Sequence, residues 1–238
     1  MEPNELETRP DGLIQNIGLL DLTGMKSPDN LKDVTGIKNV GLILVPESLN
    51  KALMGVPMEC VGCIAPVPEG ANVRMQTGIT KIPGKVLANP GGREDDILVV
   101  TGITVITSPV EKVGYKQLHV IGQLLAPKGS EAALTAGITR LTGMVAYHNG
   151  NPRVFTGDTC FSRDFLELLD APATLVIMGN CTVERDVPAA LLKEKLAGII
   201  LMGNLAAPKA LLPMLQMLTE AYGKIVDMDE IPAEEAEA

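Results

Sequence analysis

The sequence predicts a repeat solenoid built on parallel β-strands, and three observations carry that expectation. Three segments align without gaps at an offset of 81 residues: VGLILVPESLNKAL from Val40, IGQLLAPKGSEAAL from Ile121 and MGNLAAPKALLPML from Met202. The period is compound, because Gly62 follows Gly41 by 21 residues and Gly143 follows Gly122 by the same 21. Around these glycines run segments such as VGLILV, ILVVTGITVI and TLVIMG, apolar at nearly every position. Such runs suit strands of a parallel sheet with at least one buried face. A step close to 20 residues, punctuated by Gly and Pro, is the signature of a stacked coil.

Each element of the unit has a physical reason. Glycine inside a strand permits a bend or a close backbone approach. Pro46, Pro127 and Pro208 coincide in the three copies and open the return segment, where a fixed φ and a missing N–H do little harm. PESLNKAL, PAALLKEKL and PKALLPMLQML have helical spacing behind a proline, so they read as short helical arcs. PVPEGANVRMQTG and PGKVLANPGGRED read as turns and extended arcs. The expected architecture is therefore β-helix-like with helical arcs in some coils. The alternative is an open α/β parallel sheet, whose βα units need about 30 residues each.

The step predicts one solenoid domain over residues 13–226, of about nine or ten coils, between an acidic arm (1–12) and a disordered acidic tail (227–238). In architecture the unit resembles leucine-rich repeats, with VIMGN and ILMGN matching fragments of their pattern. In broad plan the chain also resembles the filament-forming bactofilins, a small β-solenoid between short tails. Neither resemblance transfers a functional residue.

Composition narrows the partners. The formal net charge is −9, but residues 1–12 carry −3 and residues 227–238 carry −6, which leaves a neutral body. No basic cluster exists to replace phosphate counterions, so nucleic acid is excluded. With no Trp, three Phe and three Tyr, aromatic stacking platforms are not expected. The apolar stretch Leu196–Leu218 imitates a membrane span, but it is the third copy of a unit that elsewhere carries Glu47, Lys51, Lys128 and Glu131. A charge at mid-span is also costly in lipid. Four cysteines are too few for a disulfide scaffold, and MEPNELETRPDG lacks a signal-peptide pattern, so a cytoplasmic setting is expected.

Candidate chemistry is sparse. Cys60-Val-Gly-Cys63 is a CxxC without a second ligand pair, and residues three apart on a strand point to opposite faces. Cys160 and Cys181 lie one coil apart and are expected as buried small hydrophobes. His148, in the turn YHNGN, is expected to face solvent, and His119 to occupy an outward site. Arg163-Asp164 and Arg185-Asp186 recur one coil apart and are expected to form a charge ladder between turns. No GxGxxG, Walker, GxSxG or HExxH motif is present, so no cofactor, metal or catalytic residue is assigned and an enzyme is disfavoured.

The expected function is that of a structural or scaffold protein whose partner is itself. Its terminal coils leave unpaired backbone groups without an obvious polar capping helix. Ile17, Leu19, Leu215, Leu218 and Ile225 are the expected self-association residues, giving dimers or filaments. A protein-recognition solenoid and an enzyme with a site assembled by folding are the alternatives.

Overall fold

The computed structural model describes residues 12–230. The acidic residues 1–11 and 231–238, which carry most of the expected arm and tail, lie outside the described residues. Within them the chain is dominated by parallel strands joined by short turns and by helices of five to seven residues.

The first three strands, β1 (Leu13–Asp21), β2 (Gly36–Pro46) and β3 (Met58–Val67), form one parallel sheet in the order β1-β2-β3. A second sheet contains β4 (Val73–Gln76), β5 (Ile79–Ile82), β6 (Ile97–Ile106), β7 (Gln117–Pro127) and β8 (Ile138–His148); both β4 and β5 pair with β6. The remaining strands are interrupted at a bend. β9 (Pro152–Thr156), β11 (Ala173–Met178), β13 (Leu196–Leu201) and β15 (Thr219–Ala221) pair in order. β10 (Thr159–Phe161), β12 (Asn180–Val183), β14 (Asn204–Ala207) and β16 (Lys224–Asp227) form the sheet beside them. Every one of these ladders is parallel.

The prolines act where the sequence puts them. Pro46 and Pro188 each sit immediately before a helix, α1 (Glu47–Leu53) and α4 (Ala189–Lys195). Pro208 precedes a 3-10 turn, Lys209–Leu211, that leads into α5 (Leu212–Leu218). α2 (Glu131–Gly137) and α3 (Arg163–Glu167) close two further units, and the Ser162 hydroxyl caps α3 by accepting the Phe165 N–H. PGKVLANPGGRED contains a 3-10 turn, Gly84–Ala88, ended by Asn89 in the left-handed region.

Three buried clusters lie inside these units. The first joins Ile14, Ile37, Ile43, Val45, Leu49 and Leu53; the second joins Leu98, Val100, Leu118, Val120, Leu124 and Leu134. The third includes Leu175, Ile177, Leu192, Leu201, Leu205 and Leu215. Each cluster draws on strands and on the return segment, so the helical arcs bury one leucine face against the sheet.

Two ladders of the expected single stack are missing. Among the described residues none joins β3 to β4, and none joins β8 to β9. The physical reason is on the outward faces. Leu42, Leu44, Cys63, Ala65 and Val67 point away from their own unit and pack on Ile97 and Val99 of β6, with Ile121 beside them. Val105, Leu125 and Ala146 do the same against Val176 and Ile200. A further rung stacked on β3 would leave such a face in water, whereas a second sheet laid over it buries it. The 81-residue offset is the distance between these sheet-bearing units.

The glycines form columns at the bends. A Cβ placed on Gly41 would stand 2.6 Å from the Gly18 carbonyl oxygen, and one on Gly62 would stand 2.5 Å from that of Gly41. The same stacking runs through Gly78, Gly102, Gly122 and Gly143, and through Gly157, Gly179, Gly203 and Gly223. Gly41, Gly122 and Gly203 are thus members of three separate columns.

Candidate functional site

Register identifies one sheet face on which no second sheet is laid among the described residues. Leu44, Leu125 and Ala206 stand at the same point of the three aligned copies, each separated by 81 residues. Leu44 and Leu125 are fully buried between sheets. Ala206 lies on β14, where Cys160, Thr182, Ala206 and Val226 are aligned across the four rungs. The neighbouring residues Cys181, Val183, Leu205 and Ala207 point into the third core. By strand alternation the Cys160–Val226 column points outward. Ala206 is 8% exposed, tucked between half-buried Thr182 and Val226, and Cys160 is exposed. Ala206 belongs to none of the five buried clusters, and no second sheet covers this face among the described residues.

A polar column runs beside it on the same side. Asn180 Nδ2 donates to Asp158 Oδ1 at 3.1 Å, and Asn204 Nδ2 donates to Asn180 Oδ1 at 3.1 Å. Lys224 follows in register with Asn204, so the column begins with an acid and ends with a base, all four exposed.

The face at the other end of the series is polar. Gln15, Lys38 and Glu59 are aligned across β1, β2 and β3, and Lys38 is ion-paired to Glu59 at 2.7 Å in solvent. Their mutual contact raises the Lys38 pKa and lowers that of Glu59. The residue one offset on from Lys38 is His119, which is buried.

Both histidines differ from expectation. His119 does point outward from its own unit, but the first sheet covers that face, and the ring is only 3% exposed. Its Nε2 lies 3.0 Å from Gln117 Oε1, Nδ1 has no partner, and burial, aided by Arg140, lowers its pKa. Arg140 Nη1 donates across the same interface to the Ile64 carbonyl. His148 is 1% exposed rather than solvent-facing. Its Nε2–H donates to the Ile106 carbonyl at 2.9 Å while Nδ1 accepts from Gly150 N–H at 3.2 Å. A turn histidine with two backbone partners is drawn inside, and burial lowers its pKa as well.

The cysteines divide. Cys60 is exposed and adopts φ +55°, whereas Cys63 is buried in the first interface. Cys181 is buried as expected, with its thiol pushed up to about 12 by burial and then by Cys160. Cys160 is exposed, correcting the expectation of a buried thiol: no second sheet covers its column among the described residues. It donates to Glu184 Oε1 at 3.5 Å. The arginine ladder is also redistributed. Arg163 Nε donates to Glu167 one helical turn away at 2.8 Å, because that spacing is shorter than the step between coils. Arg185 pairs instead with Asp229.

The strongest charge cluster is Asp96, fully buried beside the loop that follows Gly84–Ala88. It accepts from Asn72 Nδ2 at 2.9 Å, Asn89 Nδ2 at 3.2 Å and Arg93 N–H at 3.1 Å, with Arg74 Nη2 at 3.0 Å. The Asn72 hydrogen bond leads the lowering of its pKa. Every carboxylate contact is a neighbour in the loop or at the start of β4, so this is a clamp holding an inserted segment.

Two shallow grooves lie elsewhere on the surface. One of about 410 Å³ is lined by Lys128, Tyr147, Asn149, Thr174 and Glu220. The other, about 430 Å³, has Lys81 and Arg153 beside Phe155, Phe165 and Leu168. All three phenylalanines of the chain meet there, with centroids 5.1 to 5.9 Å apart. Among the described residues no group of three or more His, Cys, Asp and Glu side chains is placed to hold a metal, and no helix is long and apolar enough to cross a membrane.

The five expected contact residues belong to the first and the last units of the described chain. Ile17 is half-buried against the first core and Leu19 against the first interface. Leu215 is fully buried in the third core, with Leu218 and Ile225 half-buried against it. Among the described residues β1 and β16 are nevertheless the end strands of their sheets, so Ile17 and Ile225 lie on the outermost described rungs. The outward face that carries Cys160, Thr182, Ala206 and Val226 was not among the expected sites, although the alignment of Leu44, Leu125 and Ala206 contained the signal. Comparison with known proteins yields no matching family model, curated protein or solved structure.

Proposed function

We propose that the chain is a solenoid scaffold, made of three short stacks of strand-and-arc coils, that associates with copies of itself. One observation carries this reading: the chain twice covers an outward sheet face with the next of its own repeats, and at the third repeat no further sheet lies on the equivalent face among the described residues. A protein assembled by self-similar sheet contacts has the complementary surfaces that homo-oligomers use. Among the described residues β16 is an edge strand, whose backbone donors and acceptors favour further association, up to filaments. Size-exclusion chromatography with light scattering, followed by negative-stain microscopy, tests the proposal. Concentration-dependent oligomers or filaments are expected; a chain that stays monomeric at high concentration overturns it.

A further inference from the structure

Resting on that scaffold reading, we infer that the occupant of the outward face of β10-β12-β14-β16 is the same face of a second copy, related by a two-fold axis along the strands. The repeat itself could suggest a different occupant, namely the first sheet of the next chain, which would continue the series head to tail. Chemistry argues against that. The covered faces meet apolar columns, Ile97 and Val99 in one case and Val176 and Ile200 in the other. The corresponding face of the first sheet presents the Lys38–Glu59 ion pair, and laying apolar residues on it would desolvate two charges for no apolar gain. It behaves as a polar terminal face of the kind that stops a repeat array. The outward face of β10-β12-β14-β16 has uncharged Cys160, Thr182, Ala206 and Val226 at its centre, with the Glu184 carboxylate beside Cys160 at its margin, and so matches itself better than it matches the ion-paired first sheet.

Charge fixes the orientation. A two-fold axis along the strands keeps each column over its own counterpart and reverses the order of the rungs. Asp158 then stands opposite Lys224 of the partner at both ends, Asn180 opposite Asn204, Cys160 opposite Val226 and Thr182 opposite Ala206. The other in-plane two-fold, along the stack, lays Cys160 near its own copy and forms no Asp158–Lys224 pair. Aligned strands are also a preferred geometry for two packed sheets. Four rungs at about 4.8 Å make a patch only about 15 Å tall, so the dimer is weak and exchanges readily.

The test is a cross-link in the full chain. Cys160 and position 226 are three rungs apart, about 14 Å, which is too far for an intrachain disulfide. With Cys60→Ser removing the other exposed thiol, Val226→Cys should give a disulfide-linked dimer on mild oxidation, and adding Cys160→Ser should abolish it. In the same background Asp158→Lys should cut the dimer yield by about tenfold, and Asp158→Lys with Lys224→Asp should restore it. A wild-type dimer linked through Cys160 alone, or a link that survives Cys160→Ser, overturns the orientation. Oligomers by light scattering without any link between Cys160 and the thiol introduced at position 226 refute this face and leave the scaffold reading standing. A chain monomeric throughout refutes both.

Discussion

Gly41 lies directly over Gly18, so that a β-carbon on Gly41 would stand 2.6 Å from the Gly18 carbonyl oxygen, while one on Gly18 would meet nothing within 4 Å. The two glycines belong to one column, are both exposed, and have φ outside the left-handed region. They differ in whether a rung lies beneath.

That difference gives the first prediction. Gly41→Ala should destabilise by about 1–3 kcal/mol, the range for forcing an atom into occupied space. Gly18→Ala should stay within about 0.5 kcal/mol, as for an ordinary surface change. Urea midpoints of the two variants decide it, and equal midpoints would remove the close-approach explanation of the columns.

Acid should weaken the fold through its histidines. His119 and His148 both have pKa values lowered by burial. An unfolded chain therefore binds protons that the folded chain refuses. Their stabilisation is complete above the ordinary histidine pKa of about 6.5 and is lost as pH falls from there toward the lowered folded values. His119→Phe, which removes the unpartnered Nδ1 but keeps a ring in the interface, should flatten part of the decline. Denaturation midpoints measured between about pH 7.5 and 5 test this, and an unchanged slope in the variant would count against it.

Thiol accessibility should split two and two. Cys60 and Cys160 are exposed, while Cys63 and Cys181 are buried. A colourimetric thiol reagent should titrate two groups in the native protein and four in denaturant. Cys160 should react more slowly than an ordinary exposed thiol, since burial and Glu184 raise its pKa. Rapid native labelling of Cys181, whose thiol is pushed up to about 12, would contradict the packing of the third core.

Removing the Asp96 carboxylate should loosen one segment rather than the whole molecule. Asp96→Ala removes the acceptor of Asn72 and the ion-pair partner of Arg74, and leaves Asn89 only the Arg93 carbonyl. Faster amide hydrogen exchange is expected over residues 84–96, with the ladders of β1 to β3 unchanged. Uniform acceleration would show that the clamp supports the entire fold instead.

Much of the local structure was determined by the sequence alone. The Pro46, Pro188 and Pro208 turns, the helical arcs behind them and the parallel apolar strands follow from propensity and spacing, which act within a few residues. The glycine step of 21 residues also marked which backbones stack. What the sequence did not decide is where stacking stops. Leu44 and Leu125 read as strand residues whichever way they point, and an uninterrupted run of apolar residues carries no sign of which face meets a neighbour's rung and which meets another sheet. Tertiary packing made that choice, because an outward apolar column can leave water only under a second layer. The same choice buried His119 in an interface, left its counterpart Lys38 in solvent, and exposed Cys160 in an outward column that no second sheet covers among the described residues.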